Sequence, residues 1–321
     1  MAILKFINDP ADFSLNTASL STNPEYFEAT RCDGWLLDGG QGHNLAAEWP
    51  AAAGNDLWIH FVCGYSSTAT AWIGNEHLRL EDGSGNLVAS SDIRSGNIDW
   101  NLYGDTTNGA TTYRTITRAP LVMDLHFVRT GTTSMQMFVY VNGTFQGSPT
   151  VGNTVNFGLP TNIIIENLDV DGDYFFGECV IADEDTRGWR LFQLKPTAFG
   201  VNQEWDGTAA SVVDGSLLTG ITTDVANERA SFGVSRIENI PDDALIDRVC
   251  IQSYGQRGAS GLTAFNHYFR YESGTTIDDA DHTLALTAGM FIDEYTTDPN
   301  TTLPWAVPNL SGLQIGVRAR T

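Results

Sequence analysis

Apolar and polar positions alternate along most of this chain, in short runs rather than long ones. Apolar-rich runs fall at 34–37, 57–62, 71–73, 78–80, 86–90, 121–129, 135–141, 163–166 and 175–182. Between them lie clusters such as Glu81-Asp82-Gly83-Ser84-Gly85 and Asp105-Thr106-Thr107-Asn108-Gly109. Runs of about five to six residues, with turn residues every ~8–12, describe an antiparallel sandwich. The clearest stretch is Asp124 to Gly147, DLHFVRTGTTSMQMFVYVNGTFQG. A β-prone run meets a Thr/Gly turn, a second follows, and Asn142-Gly143 separates it from Thr144-Phe145. Both turn residues tolerate the positive φ of a type I′ turn, so the stretch predicts three consecutive antiparallel strands.

The rhythm lapses near 196–210, where Pro196, Gly200 and Asp206-Gly207 cluster, and then resumes at 230–237, 248–254, 266–271, 283–286, 289–295 and 313–319. The expectation is an all-β chain of two domains, residues 1–200 forming a β-sandwich and 201–321 a second, smaller one. Short helical pieces are expected only around 186–194 and 242–249.

Composition narrows the function classes. With 42% apolar and 17% charged residues the chain can build real cores, and its net charge is −22. Such a surface repels phosphate backbones, and no Lys/Arg cluster offsets it, so nucleic-acid binding is not expected. No apolar run is long enough to span a bilayer, so membrane insertion is not expected. The opening MAILKFINDP turns polar too soon for a signal peptide, so the usual secretory route is not expected either.

The four cysteines, 32, 63, 179 and 250, form no C-x-x-C pair and have no His at ligand spacing, so zinc is not expected. They read as small buried hydrophobes, with Cys32 and Cys63 the pair that a bridge would join.

Three stretches carry candidate chemistry. Asp169, Asp171 and Asp173, in NLDVDGD, offer the hard oxygen donors that Ca²⁺ prefers, which makes Ca²⁺ the candidate cofactor; the same stretch also reads as an acidic turn. Asp183-Glu184-Asp185-Thr186-Arg187-Gly188 reads either as an interaction site or as a local cap in which Arg187 pairs with a neighbouring carboxylate. Trp100, Tyr103 and Asp105, in WNLYGD, form the candidate glycan-binding loop, an aromatic platform beside a carboxylate. The six histidines are scattered, and His126 reads as a hydrogen-bonded sheet residue. No G-x-S-x-G, H-E-x-x-H or P-loop pattern occurs, so no enzyme activity is expected.

The run ending in Tyr140-Val141-Asn142-Gly143 resembles the strand–turn–strand signature of laminin-G-like and concanavalin-A-like sandwiches, and implies that jelly-roll architecture for the first domain. Hydrolases of that fold place paired carboxylates on one strand as E-x-D-x-E or E-x-D-x-x-E, and no strand here does, which argues against glycan hydrolysis. Two further stretches resemble structural proteins of tailed bacteriophages. FFGECVIADEDTRGWRLFQLKP, from Phe175 to Pro196, is similar to a strand running into D-E-D-T-R-G and L-x-P. YTTDPNTTLPWAVPNLSGLQIGVR, from Tyr295 to Arg318, is similar to their closing signature, although Ala306-Val307-Pro308 stands where a Thr usually follows the Trp. Trp205-Asp206-Gly207 and Asp242-Asp243 also fit the second half of those proteins. The resemblance implies a tail, neck or head-surface component of the virion, assembled in the host cytoplasm and contacting itself and other virion proteins. The alternative is a lectin-like adhesin that contacts host surface glycan.

Overall fold

The protein is described here by a computed structural model covering residues 3–16, 18–21, 32–37, 43–65, 76–94, 97–105, 108–114, 120–152, 154–167, 174–235, 237–259 and 261–321. The chain divides into two compact units, Met1–Leu191 and Phe192–Thr321. The expected run at 71–73 and the acidic stretch holding Asp169, Asp171 and Asp173 lie outside the described residues.

The first unit is an antiparallel sandwich. One sheet sets Thr144–Gly147, Ser134–Val141, Leu121–Thr130, Asp56–Tyr65, Tyr174–Ala182, Gly34–Leu37 and Ser19–Ser21 side by side in that order. The facing sheet runs Asn108–Arg114, Asn97–Tyr103, Leu87–Arg94, Glu76–Glu81, Asn162–Asn167, His43–Glu48 and Leu15–Asn16. Alternation decides what meets between them. Leu57, Ile59 and Phe61, with Leu125 and Phe127 and with Met137 and Val139, face Leu78 and Leu80, Ile98 and Leu102, and Ile163 and Ile165 in one continuous core. The strand residues between them on the first sheet therefore point to its outer face.

The hairpin forms as its residues predict. Ser134–Val141 pairs with Leu121–Thr130 on one side and Thr144–Gly147 on the other, and the turn has φ 49° at Asn142 and 73° at Gly143.

The Tyr174–Ala182 strand carries a β-bulge. Its partner advances from Val62 to His60 while this strand advances from Gly177 to Val180, so one extra residue is accommodated. Tyr174 and Phe176 face the core before the bulge, and Cys179 and Ile181 after it. Glu178 takes the strained turn with φ 53°. A side chain at Gly177 would crowd the adjacent strand, because a Cβ there would stand 3.0 Å from the backbone Asp33 O and 3.2 Å from Gly34 Cα.

The second unit is built from a six-stranded sheet and a two-stranded ribbon. The sheet order is Pro196–Gln203, Arg229–Val234, Gln314–Arg320, Ala264–Arg270 and Thr276–Asp278, with His282–Thr283 also pairing with Ala264–Arg270. The ribbon joins Val249–Gly255 to Gly289–Tyr295. Ile251 and Tyr295 of the ribbon pack with Phe269, Tyr271, Trp305 and Leu313 in a core of their own.

Two expectations need correction. The unit boundary falls at 191/192 instead of 200/201, because Pro196–Gln203 is an edge strand of the second unit, paired with Arg229–Val234. Half of its residues are exposed and none is buried, so it lacks the apolar rhythm of a central strand. Neither 186–194 nor 242–249 is helical; the α-helix among the described residues is the single turn Val307–Leu310. The four cysteines are free, in keeping with their reading as small hydrophobes. Cys63 and Cys179 are core residues, and burial pushes the Cys63 thiol up to about 12.

The closing stretch at 295–318 is a structural knot. Asp298 is buried and accepts hydrogen bonds from Tyr271 Oη, the Asn300 amide, Thr301 Oγ1 and Asn309 Nδ2. Burial opposes its charge, but these four donors outweigh burial and hold its carboxyl below the usual carboxylate range. Trp305 is buried beside it and donates Nε1–H to the Tyr295 carbonyl at 2.8 Å.

Candidate functional site: an aromatic shelf on the outer sheet face

Pairing register places the outward residues of four strands in two adjacent rows. In one row Trp58 stands opposite His126, and His126 opposite Phe138. In the next, His60 stands opposite Asp124, Asp124 opposite Tyr140, and Tyr140 opposite Phe145. The first row is a stack of upright rings: Trp58 and His126 are parallel within 7° at 4.1 Å, and His126 and Phe138 follow at 5.3 Å. Tyr140 stacks on Trp58 at 5.9 Å, and Phe145 closes the group at 5.6 Å from Tyr140. Trp58 is 6% exposed, His126, Phe138 and Tyr140 are half-buried, and Phe145 is 52% exposed.

The segment following the bulged strand lies across this face as a strap. Thr186 is wholly buried and donates its hydroxyl to Asp124 Oδ1 at 2.9 Å. The same oxygen bonds His60 Nδ1 at 2.8 Å, and neither His60 nor Asp124 reaches solvent. At the far end, Glu178 Oε1 accepts the Leu191 amide at 3.1 Å, with Arg190 Nη1 at 3.8 Å from its other oxygen. Pinned at both ends, the strap sets the Arg187 guanidinium over Tyr140, 4.7 Å from the ring centre, and 5.5 Å from that of Trp58. Asp185 holds Arg187 in place through the Arg187 amide at 3.0 Å and Nε at 2.9 Å. Those hydrogen bonds hold the Asp185 carboxyl below its ordinary value and raise that of Arg187. Thus the D-E-D-T-R-G stretch pairs Arg187 with its neighbour Asp185, in a strap instead of a helical cap.

The result is an outer sheet face covered by a cluster of partly buried aromatic rings. Polar groups flank it: Arg187 and Asp185 on the strap, and Asp56, whose Oδ1 lies 2.9 Å from His126 Nε2. Chemically it offers C–H contact together with charged donors and acceptors, the combination that recognises a hydroxylated ring.

The glycan loop expected at 100–105 is differently placed. Trp100 lies on the Asn97–Tyr103 strand, between Ile98 and Leu102 on the inward face, and is 1% exposed. It is a core residue and cannot stack on a ligand. Tyr103 points to the opposite face and bonds Ser90 Oγ at 2.9 Å. Asp105 is exposed beyond the strand end and accepts from Asn156 Nδ2 at 3.2 Å. The three do not converge. The sequence reading missed the shelf because its members lie on separate strands; the signal that could have found it is the outward phase of Trp58, His126, Phe138 and Tyr140.

No protein-family model matches the chain, and no curated protein sequence does. Among solved structures, it is similar to the botulinum neurotoxin serotype D/C VPI 5993 binding domain, at 10% identity over 96% of this chain and 93% of that one, TM-score 0.42. It is also similar to the receptor-binding domain of botulinum neurotoxin mosaic serotype C/D, at 14% identity over 52% of this chain, TM-score 0.38; the match spans 41% of that domain. A third likeness is to the cellulose-induced protein Cip1, at 15% identity over 54% of this chain and 88% of that one, TM-score 0.37. None of these three is a phage protein, so they lend the sequence resemblance to virion components no support. At these scores they carry no argument about function.

Proposed function

We propose that the protein is a non-enzymatic, lectin-like adhesin whose first unit binds surface glycan on the aromatic shelf. The observation that supports this reading is the convergence of Phe138, Tyr140 and half-exposed Phe145 with Arg187 on one outer face. An exposed Phe145 and half-buried rings beside fixed charges suit the alternating C–H faces and hydroxyls of a pyranose. Ligand specificity on this reading comes from the strap, since Arg187 and Asp185 are the groups positioned to sort hydroxyl patterns. If the chain belongs to a virion, as its two phage-like stretches suggest, this surface would be the host-attachment face.

A glycan-array screen of the full chain tests the reading, followed by calorimetry on any hit. Saturable binding should fall at least tenfold, about 1.4 kcal/mol, in Tyr140→Ala and in Phe145→Ala. A folded wild-type protein that binds no glycan would overturn it. In that event, self-association abolished by Phe145→Asp would make the shelf a contact between copies of the chain, as a structural virion subunit requires.

A further inference from the structure

In the second unit, two histidines and a carboxylate meet between the six-stranded sheet and the ribbon. His267 stands on Ala264–Arg270, and His282 on the short strand paired with it, opposite Phe265. Asp293 stands on the Gly289–Tyr295 arm of the ribbon, opposite Ile251. Asp293 Oδ2 lies 2.6 Å from His267 Nδ1 and 2.9 Å from His282 Nε2. One ligand atom from each of the three lies within 4.8 Å of the other two. The second nitrogen of His267, Nε2, is 2.7 Å from Ser253 Oγ on the other arm of the ribbon.

We propose that His267, His282 and Asp293 are a binding site for a divalent first-row transition-metal ion, with zinc the natural occupant, clasping the ribbon to the sheet. Two imidazoles aimed at a single carboxylate oxygen place three donor atoms around one point. Imidazole nitrogen is a donor for zinc, copper, iron and nickel, whereas Ca²⁺ and Mg²⁺ select all-oxygen shells. Around a tetrahedral zinc, donors about 2.0–2.1 Å from the ion stand roughly 3.3 Å from one another. Seating the ion therefore asks Asp293 Oδ2 to withdraw by less than about 1 Å from each nitrogen, and the two nitrogens, which lie within 4.8 Å of each other, to take up the same spacing.

The surroundings fit the same purpose. A metal-bound imidazole needs its other nitrogen engaged by a second partner, and Ser253 supplies that partner to His267. Phe265 and Phe291 pack edge-to-face at 5.0 Å against each other and flank His282 at 5.3 and 5.1 Å, giving an apolar wall that strengthens electrostatic binding. The His282 side chain is 20% exposed and that of Asp293 12%, which leaves a route in from solvent. Sequence spacing conceals the set: it contains no cysteine, and its residues are gathered by strand pairing.

The test is zinc titration of the full chain by calorimetry after EDTA treatment and dialysis, with Co²⁺ absorption as an independent probe. The expected result is one ion per chain, visible d–d bands of a four-coordinate nitrogen/oxygen site with Co²⁺, and a rise in Tm on adding zinc. His282→Ala should weaken binding more than 100-fold, and Ser253→Ala by about 10–100-fold. If His282→Ala does not fold, the wild-type Co²⁺ spectrum decides instead: four-coordinate bands uphold the site and their absence overturns it. Wild-type protein without saturable zinc binding, or a folded His282→Ala variant with unchanged affinity, would also overturn it. Each outcome is independent of whether the first unit binds glycan.

Discussion

Thr186 reaches Asp124 across 62 residues of sequence and donates a hydroxyl hydrogen bond to Oδ1 at 2.9 Å, with both side chains wholly buried. That bond and the Glu178–Leu191 bond fix the strap, and the strap fixes Arg187. Asp124 Oδ2 and His60 Nε2 make no hydrogen bond to any described residue, so Thr186 is one of only two donors to a buried carboxylate. Thr186→Val should cost about 1–3 kcal/mol, the scale for leaving a buried polar group underpaired, and Thr186→Ser should recover most of it. Urea unfolding of the three proteins measures this, and glycan affinity should fall with Arg187 misplaced in Thr186→Val.

The hairpin offers a cleaner backbone test. Gly143 has φ 73°, and nothing lies within 4 Å of the place where a Cβ would stand. Gly143→Ala should therefore destabilise through left-handed backbone strain alone, by about 1–2 kcal/mol. Because Tyr140 and Phe145 flank this turn, equilibrium unfolding should shift while the far-UV circular dichroism spectrum stays the same.

Acid should loosen the second unit through Asp298. Its carboxyl is held below the unfolded value of about 3.9, so it contributes stability that is fully present above that pH. The contribution fades as pH falls below about 4 and through the depressed folded value. Asp298→Asn should be less stable than wild type at pH 7, and should lose less stability than wild type between pH 7 and pH 3. Denaturant unfolding at both pH values reads the difference.

Trp100→Ala should cost about 3–5 kcal/mol, as removal of a buried large aromatic does. At a temperature where the variant remains folded, glycan affinity should be unchanged. A loss of affinity without loss of stability would place a ligand at Trp100, contrary to its position in the core.

Local chemistry was legible and convergence was not. Asn142-Gly143 announced its turn because few residue pairs accept two positive φ values, and the 289–295 run announced its strand through β-prone residues bounded by turn formers. Trp100 was misread because Ile98 and Leu102, two residues to either side, were not weighed with it; their shared phase puts all three inside. Pro196–Gln203 escaped because an exposed edge strand needs no apolar alternation. Both candidate sites were invisible for one reason. Trp58, His126 and Tyr140, like His267, His282 and Asp293, come together through strand register, which no linear spacing records.

The extra residue at Gly177–Glu178 works as a phase shifter for everything after it. Deleting one residue there would exchange the two faces of the strand's last residues, moving Cys179 and Ile181 from the face packed in the sandwich core to the outer face, under the strap, and Val180 and Ala182 the other way. The chain would then leave the sheet aimed at the opposite side, and Thr186 could no longer find Asp124. One surplus residue in a buried strand thus determines which face of the first unit carries the strap and its aromatic rings.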